Sequence, residues 1–331
     1  MNNILYLSTP GSKQIEVFSI GVDFSLEQIQ VINTDGEVQP IHTTENFLYA
    51  GIRPNCRIIT YKIKKNGLLN KIGESPIPGS PNYLSIDREN KFIFCASYKS
   101  NCLSVSSINE FGIPNKPIQV LYNIAGCHYC DIDYDNKILF VTSLKNDCIY
   151  LYRVQNNGLL IKNKQFILNV NKGYGPRHMV FNPNKKYVYS INELNSTIDV
   201  WRLINEDNKL IQSIQNIDVI SKKYFNQFWA ADIHIHPSGL YIYASDRIAN
   251  VISIFQINSN NHHLKKIADY TTEHQPRSFS ISKDGTFLIV AGEISNSITL
   301  YKIKKNAHHI IEHIKIGVGK RPIWVHLHKL L

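Results

Sequence analysis

His128, Arg177 with His178, Asp232 and Arg277 each follow a Pro, Ala or Cys by one or two positions. Arg53, Tyr98, Glu193, Arg247 and Glu293 each close a short aromatic and β-branched run. Guanidinium groups hold phosphate or carboxylate through paired hydrogen bonds and can stabilise a developing oxyanion in a dry site. A carboxylate or imidazole can take a proton from water. No Gly-x-Ser-x-Gly elbow, HExxH pair or dinucleotide fingerprint is present, which disfavours a covalent acyl-enzyme and the common zinc and nucleotide chemistries. Hydrolysis of an activated, anionic ester by directly activated water fits these residue types best.

Such residues, far apart in the chain, need a scaffold that gathers them, and the sequence carries one. A single phrase returns seven times, most clearly as GPRHMVFNPNKKYVYSINELNSTIDVWRL from Gly175 to Leu203. Aligning the copies puts Pro40, Pro81, Cys127, Pro176, Ala230, Pro276 and Pro322 in one column, separated by 41, 46, 49, 54, 46 and 46 residues. That period is the signature of propeller blades. Each copy reads as four short strands, A to D from the inside outward: in the clearest one, His178 to Phe181, Tyr187 to Ile191, Thr197 to Leu203 and Leu210 to Ile217. Alternation in Tyr187-Val188-Tyr189-Ser190-Ile191 supports strands, because aromatic and β-branched residues fit a pleated surface.

The chain ends supply the closure. Ile4 to Ser8, Gln14 to Ile20 and Gln28 to Ile32 read as B, C and D with no A before them, while Ile323 to Leu327 reads as an A with nothing after it. Joining them completes a seventh blade and removes an exposed sheet edge. The expectation is an all-β, seven-bladed propeller of four-stranded antiparallel blades, forming one domain over residues 1–331. Up-and-down connectivity then brings the start of every A and the end of every B to one mouth of the central channel. Polar groups converging on a concave mouth are the default site.

Each singled-out residue also has a plainer reading. Arg177 and Arg277 share a column and could only tie adjacent blades, Glu193 could only accept loop amides, and His128 could be a satisfied interior histidine. Trp201, Trp229 and Trp324 are expected in the core. Cys127-His-Tyr-Cys130 has the spacing of a metal or redox pair, but residues three apart on a strand point to opposite faces. No second pair exists to complete four ligands, so neither a metal nor any other cofactor is expected, and the six cysteines are read as free thiols.

The 36 Lys and Arg against 26 Asp and Glu give a net charge of +10, which raises nucleic acid as a partner. Much of the excess lies in polar turns such as Lys64-Lys65-Asn66 and Lys304-Lys305-Asn306, and the Lys, Asn and Ile richness matches an A+T-biased genome. No nucleic-acid partner is expected. No stretch approaches the ~20 apolar residues of a membrane span, and the N-terminus lacks a basic flank followed by an apolar run. A cytoplasmic monomer without membrane contact is expected.

Gly175-Pro-Arg-His-Met-Val-Phe-Asn-Pro-Asn, Asn192-Glu-Leu-Asn-Ser, Trp229-Ala-Ala-Asp-Ile-His, Ser245-Asp-Arg, Gln275-Pro-Arg and Gly126-Cys-His resemble the bacterial 6-phosphogluconolactonases of the seven-bladed propeller type. The likeness runs from Tyr6 to the end of the chain and includes Gly51-Ile-Arg-Pro and Pro78-Gly-Ser-Pro. It implies hydrolysis of 6-phospho-D-glucono-1,5-lactone, a small phosphorylated sugar lactone, in the oxidative pentose phosphate pathway. A fungal carboxymuconate lactonizing enzyme of the same wider superfamily carries a His, Arg, Glu, Arg set onto His128, Arg177, Glu193 and Arg277, the expected catalytic residues.

Arg53, Tyr98, His178 and Arg247 are the expected substrate-binding residues. In this scheme two or more of Arg53, Arg177, Arg247 and Arg277 hold the phosphate, Glu193 or His128 activates water, and Arg277 is left for the oxyanion. Thr43-Thr44-Glu45-Asn46 is a trimmed turn, expected on the far face without effect on activity. The competing classes are a non-enzymatic propeller scaffold, whose WD40-type Gly-His and Trp-Asp dipeptides are missing here, and a muconate-type lactonizing enzyme.

Overall fold

The computed structural model describes residues 3–205, 210–221 and 227–330. Among them the strands form seven four-stranded antiparallel sheets, and the helical content is a single 3-10 turn, Leu144–Asn146. We number the sheets as blades in chain order. Blade 2 spans residues 37–76, blade 3 83–121, blade 4 127–169, blade 5 176–218, blade 6 230–271 and blade 7 276–317. Blade 1 joins Asn3–Thr9, Gln14–Ile20 and Leu26–Asn33 to the last strand, Trp324–Lys329, which pairs with the first from Asn3↔Lys329 to Ser8↔Trp324. The expected closure is therefore present, with the C-terminal strand innermost.

The apolar alternation of each blade is buried against its neighbours. Seven clusters of buried side chains occur among the described residues, and each draws on two successive blades. Tyr189, Ile191 and Val200 of blade 5 pack with Ile233, Ile242 and Phe255 of blade 6, and Leu5, Leu7 and Phe18 of blade 1 pack with Ile289, Ala291 and Leu300 of blade 7. Stability of this kind is a sum of neighbour interfaces, so the blade 7 to blade 1 interface closes the ring in energy as well as in shape.

A local irregularity decides what reaches the channel. Strand A of blades 2, 4, 5, 6 and 7 changes register near its start, between Val38 and Ile41, Cys127 and Cys130, Pro176 and His178, Ala230 and Ile233, and Pro276 and Ser278. Such a bulge inserts an unpaired residue and re-aims its side chain. Two expectations change as a result. Cys127 and Cys130 do not point to opposite faces: the bulge between them lets both bury in one core cluster with Leu103 and Val141. The column begins at Val38, not Pro40, because Val38 pairs with Ile52 as Pro176 pairs with Asn192. Gln39 then takes the position that Arg177 holds in blade 5.

Candidate active site

In register, the residue after the column start is Ile323, Gln39, Asn82, His128, Arg177, Ala231 and Arg277 in blades 1 to 7. All except Ala231 line one narrow cavity, together with His178, Ser278 and Trp324 from the next position along strand A. The bulge explains why the consecutive residues Arg177 and His178 both reach it. Of the expected catalytic set, His128, Arg177 and Arg277 open onto the cavity, and Glu193 stands behind Arg177.

Glu193 pairs with two guanidiniums and accepts one hydrogen bond. Its Oε2 lies 2.8 Å from Arg177 Nε and 3.2 Å from Arg247 Nη2, and Trp229 Nε1 donates to its Oε1 at 3.2 Å. Burial alone would raise this carboxyl, but the charges of Arg177, Arg247 and Arg277 outweigh it and hold the group below its ordinary range. A carboxylate so compensated is a weak base. It serves as the anchor of two guanidiniums from neighbouring blades.

Arg177 is almost fully buried. Its Nη1 donates to the Ala231 carbonyl and to His178 Nε2, the latter at 3.1 Å. Because Nε2 accepts that bond, the His178 proton sits on Nδ1 and is donated to Asp232 Oδ1 at 2.8 Å, an assignment made from the bonding pattern. Burial, reinforced by the Arg177 charge, pushes the His178 imidazole down to about 4. Burial would raise Asp232, yet His234 and His178 hold it well below the carboxylate range. Asp232, His178 and Arg177 thus form one oriented chain that ends at the cavity.

His128 is buried, and its Nδ1 has no hydrogen-bond partner among the described residues. Its ring lies 5.1 Å from that of His178 and 5.8 Å from that of Tyr98. Burial and then the charges of Arg177, His178, Arg277 and Arg247 drive its pKa well below the usual histidine value. The imidazole is therefore neutral, the form that can accept a proton from water.

The remaining expected residues lie around the cavity without lining it. Arg53 donates through Nε to the Pro81 carbonyl at 2.9 Å and through Nη2 to Asn82 Oδ1 at 3.0 Å, and Asn82 Nδ2 in turn donates to the His128 carbonyl at 3.1 Å. Arg247 donates to the carbonyls of Trp229 and Ala230 and packs its guanidinium on the Trp229 ring. Tyr98 flanks His128. Arg277 is the least restrained of the expected arginines: its side chain is 24% exposed and Nη1 stands 3.6 Å from Glu293 Oε2.

Two tryptophans depart from the core reading. Trp201 is buried, with Nε1 donating to Ser190 Oγ, but Trp229 holds Glu193 and Trp324 forms part of the cavity wall. Gln39, Asn82, Ser278 and Ile323 were also missed. The signal for Asn82 and Ile323 was present, since each follows a column proline as Arg177 does. Gln39 was hidden by the two-residue misalignment at Pro40. Among the described residues no three His, Cys, Asp or Glu side chains are placed to hold a metal ion, and no helix is long and apolar enough to cross a membrane.

The fold and the cavity together define a seven-bladed propeller whose blades converge on a buried imidazole, a compensated carboxylate and several guanidiniums at one mouth. Residues 3–327 match the sequence model of the family described as "Lactonase, 7-bladed beta-propeller", and the chain belongs to that family. A 6-phosphogluconolactonase of Buchnera aphidicola from Acyrthosiphon pisum is 46% identical over 333 residues, all of both chains. One from Erwinia tasmaniensis is 39% identical over 332 residues, again all of both. The periplasmic gluconolactonase of Pseudomonas aeruginosa shares the fold at a TM-score of 0.92 and 19% identity, covering 100% of this chain and 99% of that one.

Proposed function

We propose that this protein is a 6-phosphogluconolactonase that hydrolyses 6-phospho-D-glucono-1,5-lactone to 6-phosphogluconate with water as the nucleophile. Full-length relatives of that activity support the reaction. The observation that carries the mechanism is the convergence of His128, Arg177 and Arg277, from blades 4, 5 and 7, on one cavity.

Burial favours exchanging two of the roles expected from sequence. Oxyanion stabilisation is strongest from donors fixed before reaction, and Arg177, held by Glu193, His178 and Ala231, is the fixed one. Arg277 is more exposed and loosely paired, which suits a phosphate that must enter and leave. His128 orients the attacking water through its neutral imidazole and accepts the water's proton as the C1–O bond forms. The resulting imidazolium then gives that proton to the ring oxygen as the C1–O5 bond breaks and the C5 hydroxyl leaves. A bound phosphate dianion offsets the cationic field that depresses His128, so the base strengthens when substrate is present. Glu193 keeps Arg177 and Arg247 in place.

All the proposed site residues come from one chain, which supports a monomer, and residues 1–331 act as one domain. The cytoplasm is the proposed location, supported by six free cysteines, five of them buried. The cationic groups converge on a narrow mouth between the blades, which supports a small anion as the ligand and not nucleic acid. A direct assay tests the reading: the protein should hydrolyse the phosphorylated lactone and be inhibited by 6-phosphogluconate but not by gluconate. Equal inhibition by both would reject phosphate recognition and favour an unphosphorylated substrate.

A further inference from the structure

Four of the connections leading into a strand A place a left-handed residue just ahead of the column: Gly126 (φ 65°), Gly175 (φ 67°), Gln275 (φ 56°) and Arg321 (φ 58°). In each, the backbone amide donates to an Asn or Asp side chain in the B-to-C turn of the preceding blade. Gly126 reaches Asn101, Gly175 reaches Asp147 and Gln275 reaches Asn250, each at 2.8 Å, and Arg321 reaches Asn296 at 2.7 Å. This latch fixes the backbone conformation. Glycine occupies a left-handed position without the Cβ clash that other residues incur, and two copies of the repeat use it. An arginine at that position is locally unfavourable, and residues held in such conformations cluster at functional sites.

The Arg321 side chain reaches the carboxylate that also faces the cavity-lining Arg277. Its Nη2 stands 3.3 Å from Glu293 Oε1, while Arg277 Nη1 stands 3.6 Å from the other oxygen of the same carboxylate. Arg321 is 52% exposed and Arg277 24%, and Arg321 is two residues from Ile323 and three from Trp324, both in the cavity wall. One carboxylate between two guanidiniums leaves a net positive charge at the edge of the cavity, and each guanidinium retains donors beyond its contact with Glu293. Arg53 adds a third cation nearby: burial, then the charge of Arg277, brings its guanidinium down to about 10.

We propose that Arg321 and Arg277, aligned by Glu293, form the clamp for the 6-phosphate and give the site its preference for a phosphorylated over an unphosphorylated lactone. The assignment rests on the proposed lactonase reading and extends it to a specificity-determining residue. A dianion recognised by two guanidiniums gains bidentate, charge-assisted hydrogen bonds that a free hydroxyl at the same carbon cannot match.

The test compares kcat/KM for 6-phosphogluconolactone and for glucono-1,5-lactone in the wild type, Arg321→Gly and Arg321→Lys. Glycine removes the charge and suits the backbone, so Arg321→Gly should melt within a few degrees (~3 °C) of the wild type. The preference for the phosphorylated lactone should fall roughly tenfold or more, through KM, and inhibition by inorganic phosphate should weaken with it. Arg321→Lys should recover part of the preference. An Arg321→Gly protein that folds and keeps its preference within about twofold, a difference of roughly 0.4 kcal/mol, overturns the clamp. A wild type that hydrolyses neither lactone overturns the lactonase reading, and one that hydrolyses both alike overturns phosphate recognition, before any variant is compared.

Discussion

Arg247 lies flat against Trp229, its guanidinium carbon 3.7 Å from the ring centroid, and the two side chains grip Glu193 from blade 6 while Glu193 itself belongs to blade 5. A cation stacked on an indole with its donors spent on carbonyls is a structural brace, and its charge, with that of Arg177, is balanced by one carboxylate.

Glu193→Gln keeps the shape but leaves two buried guanidiniums without that balance. Allowing for the partial exposure of Glu193, stability should drop by about 2–3 kcal/mol, and kcat should fall on the order of 100-fold because Arg177 is no longer fixed. The acid limb of the pH–rate profile should stay where it is in the wild type. Disappearance of that limb would make Glu193 the base.

His128→Asn should lower kcat by roughly 10²–10⁴-fold with the fold intact and KM little changed. The wild-type profile carries the same information. The active form is the neutral imidazole, whose pKa burial and the surrounding arginines push well below 6.5, so activity is lost only as pH falls through that depressed value. On glucono-1,5-lactone, which has no phosphate to titrate, kcat/KM should be level from neutrality to below the ordinary histidine range. An inflection near 6.5 would remove His128 from this role.

Asp232→Asn tests the oriented chain behind Arg177. An asparagine can present its amide NH₂ to His178 Nδ1, which moves the imidazole proton to Nε2, where it faces the Nη1 donor of Arg177. We expect a roughly tenfold or larger loss of kcat with little change in KM, accompanied by a tautomer change visible in the ¹⁵N shifts of His178. A rate loss with the Nδ1–H tautomer retained would leave Asp232 a purely structural role.

Several buried histidines make stability depend on acid. Burial holds His42, His178 and His328 at about 4 and His128 and His326 well below their usual value. Each folded-state pKa lies beneath its unfolded value, so the unfolded chain binds more protons and stability falls as pH drops from about 6.5 toward 4. The limit is about 1.4 kcal/mol per pH unit for each group. Asp131, raised to about 6 by burial, and Asp199, also raised by burial, work in the opposite direction but are outnumbered by the histidines. Denaturant midpoints at pH 7, 6 and 5 should decrease in that order, and a midpoint constant over this range would contradict the neutral histidines.

The ring and its closure were legible because propeller blades repeat their apolar alternation, and the pairing of the first and last strands follows from an A without a B. Which rim residues reach the cavity was only partly legible. Arg177 and His178 are adjacent, and on a regular strand only one of them would face inward. The bulge that turns both toward the channel leaves no residue-type signature. Arg247 and Arg277 look alike in the sequence, yet one is spent on Glu193 and carbonyls and the other is nearly free, a difference set by side-chain packing. The role of Trp229 depends on the same packing.

Ile323 and Trp324 belong to the cavity wall and stand at the start of the innermost strand of blade 1. A chain that ends before Pro322 lacks two wall residues, leaves Arg321 at a frayed end beside Glu293 and exposes an unpartnered edge on Asn3–Thr9. On the proposed reading such a fragment is inactive, so activity would report that the closing strand has been made and docked.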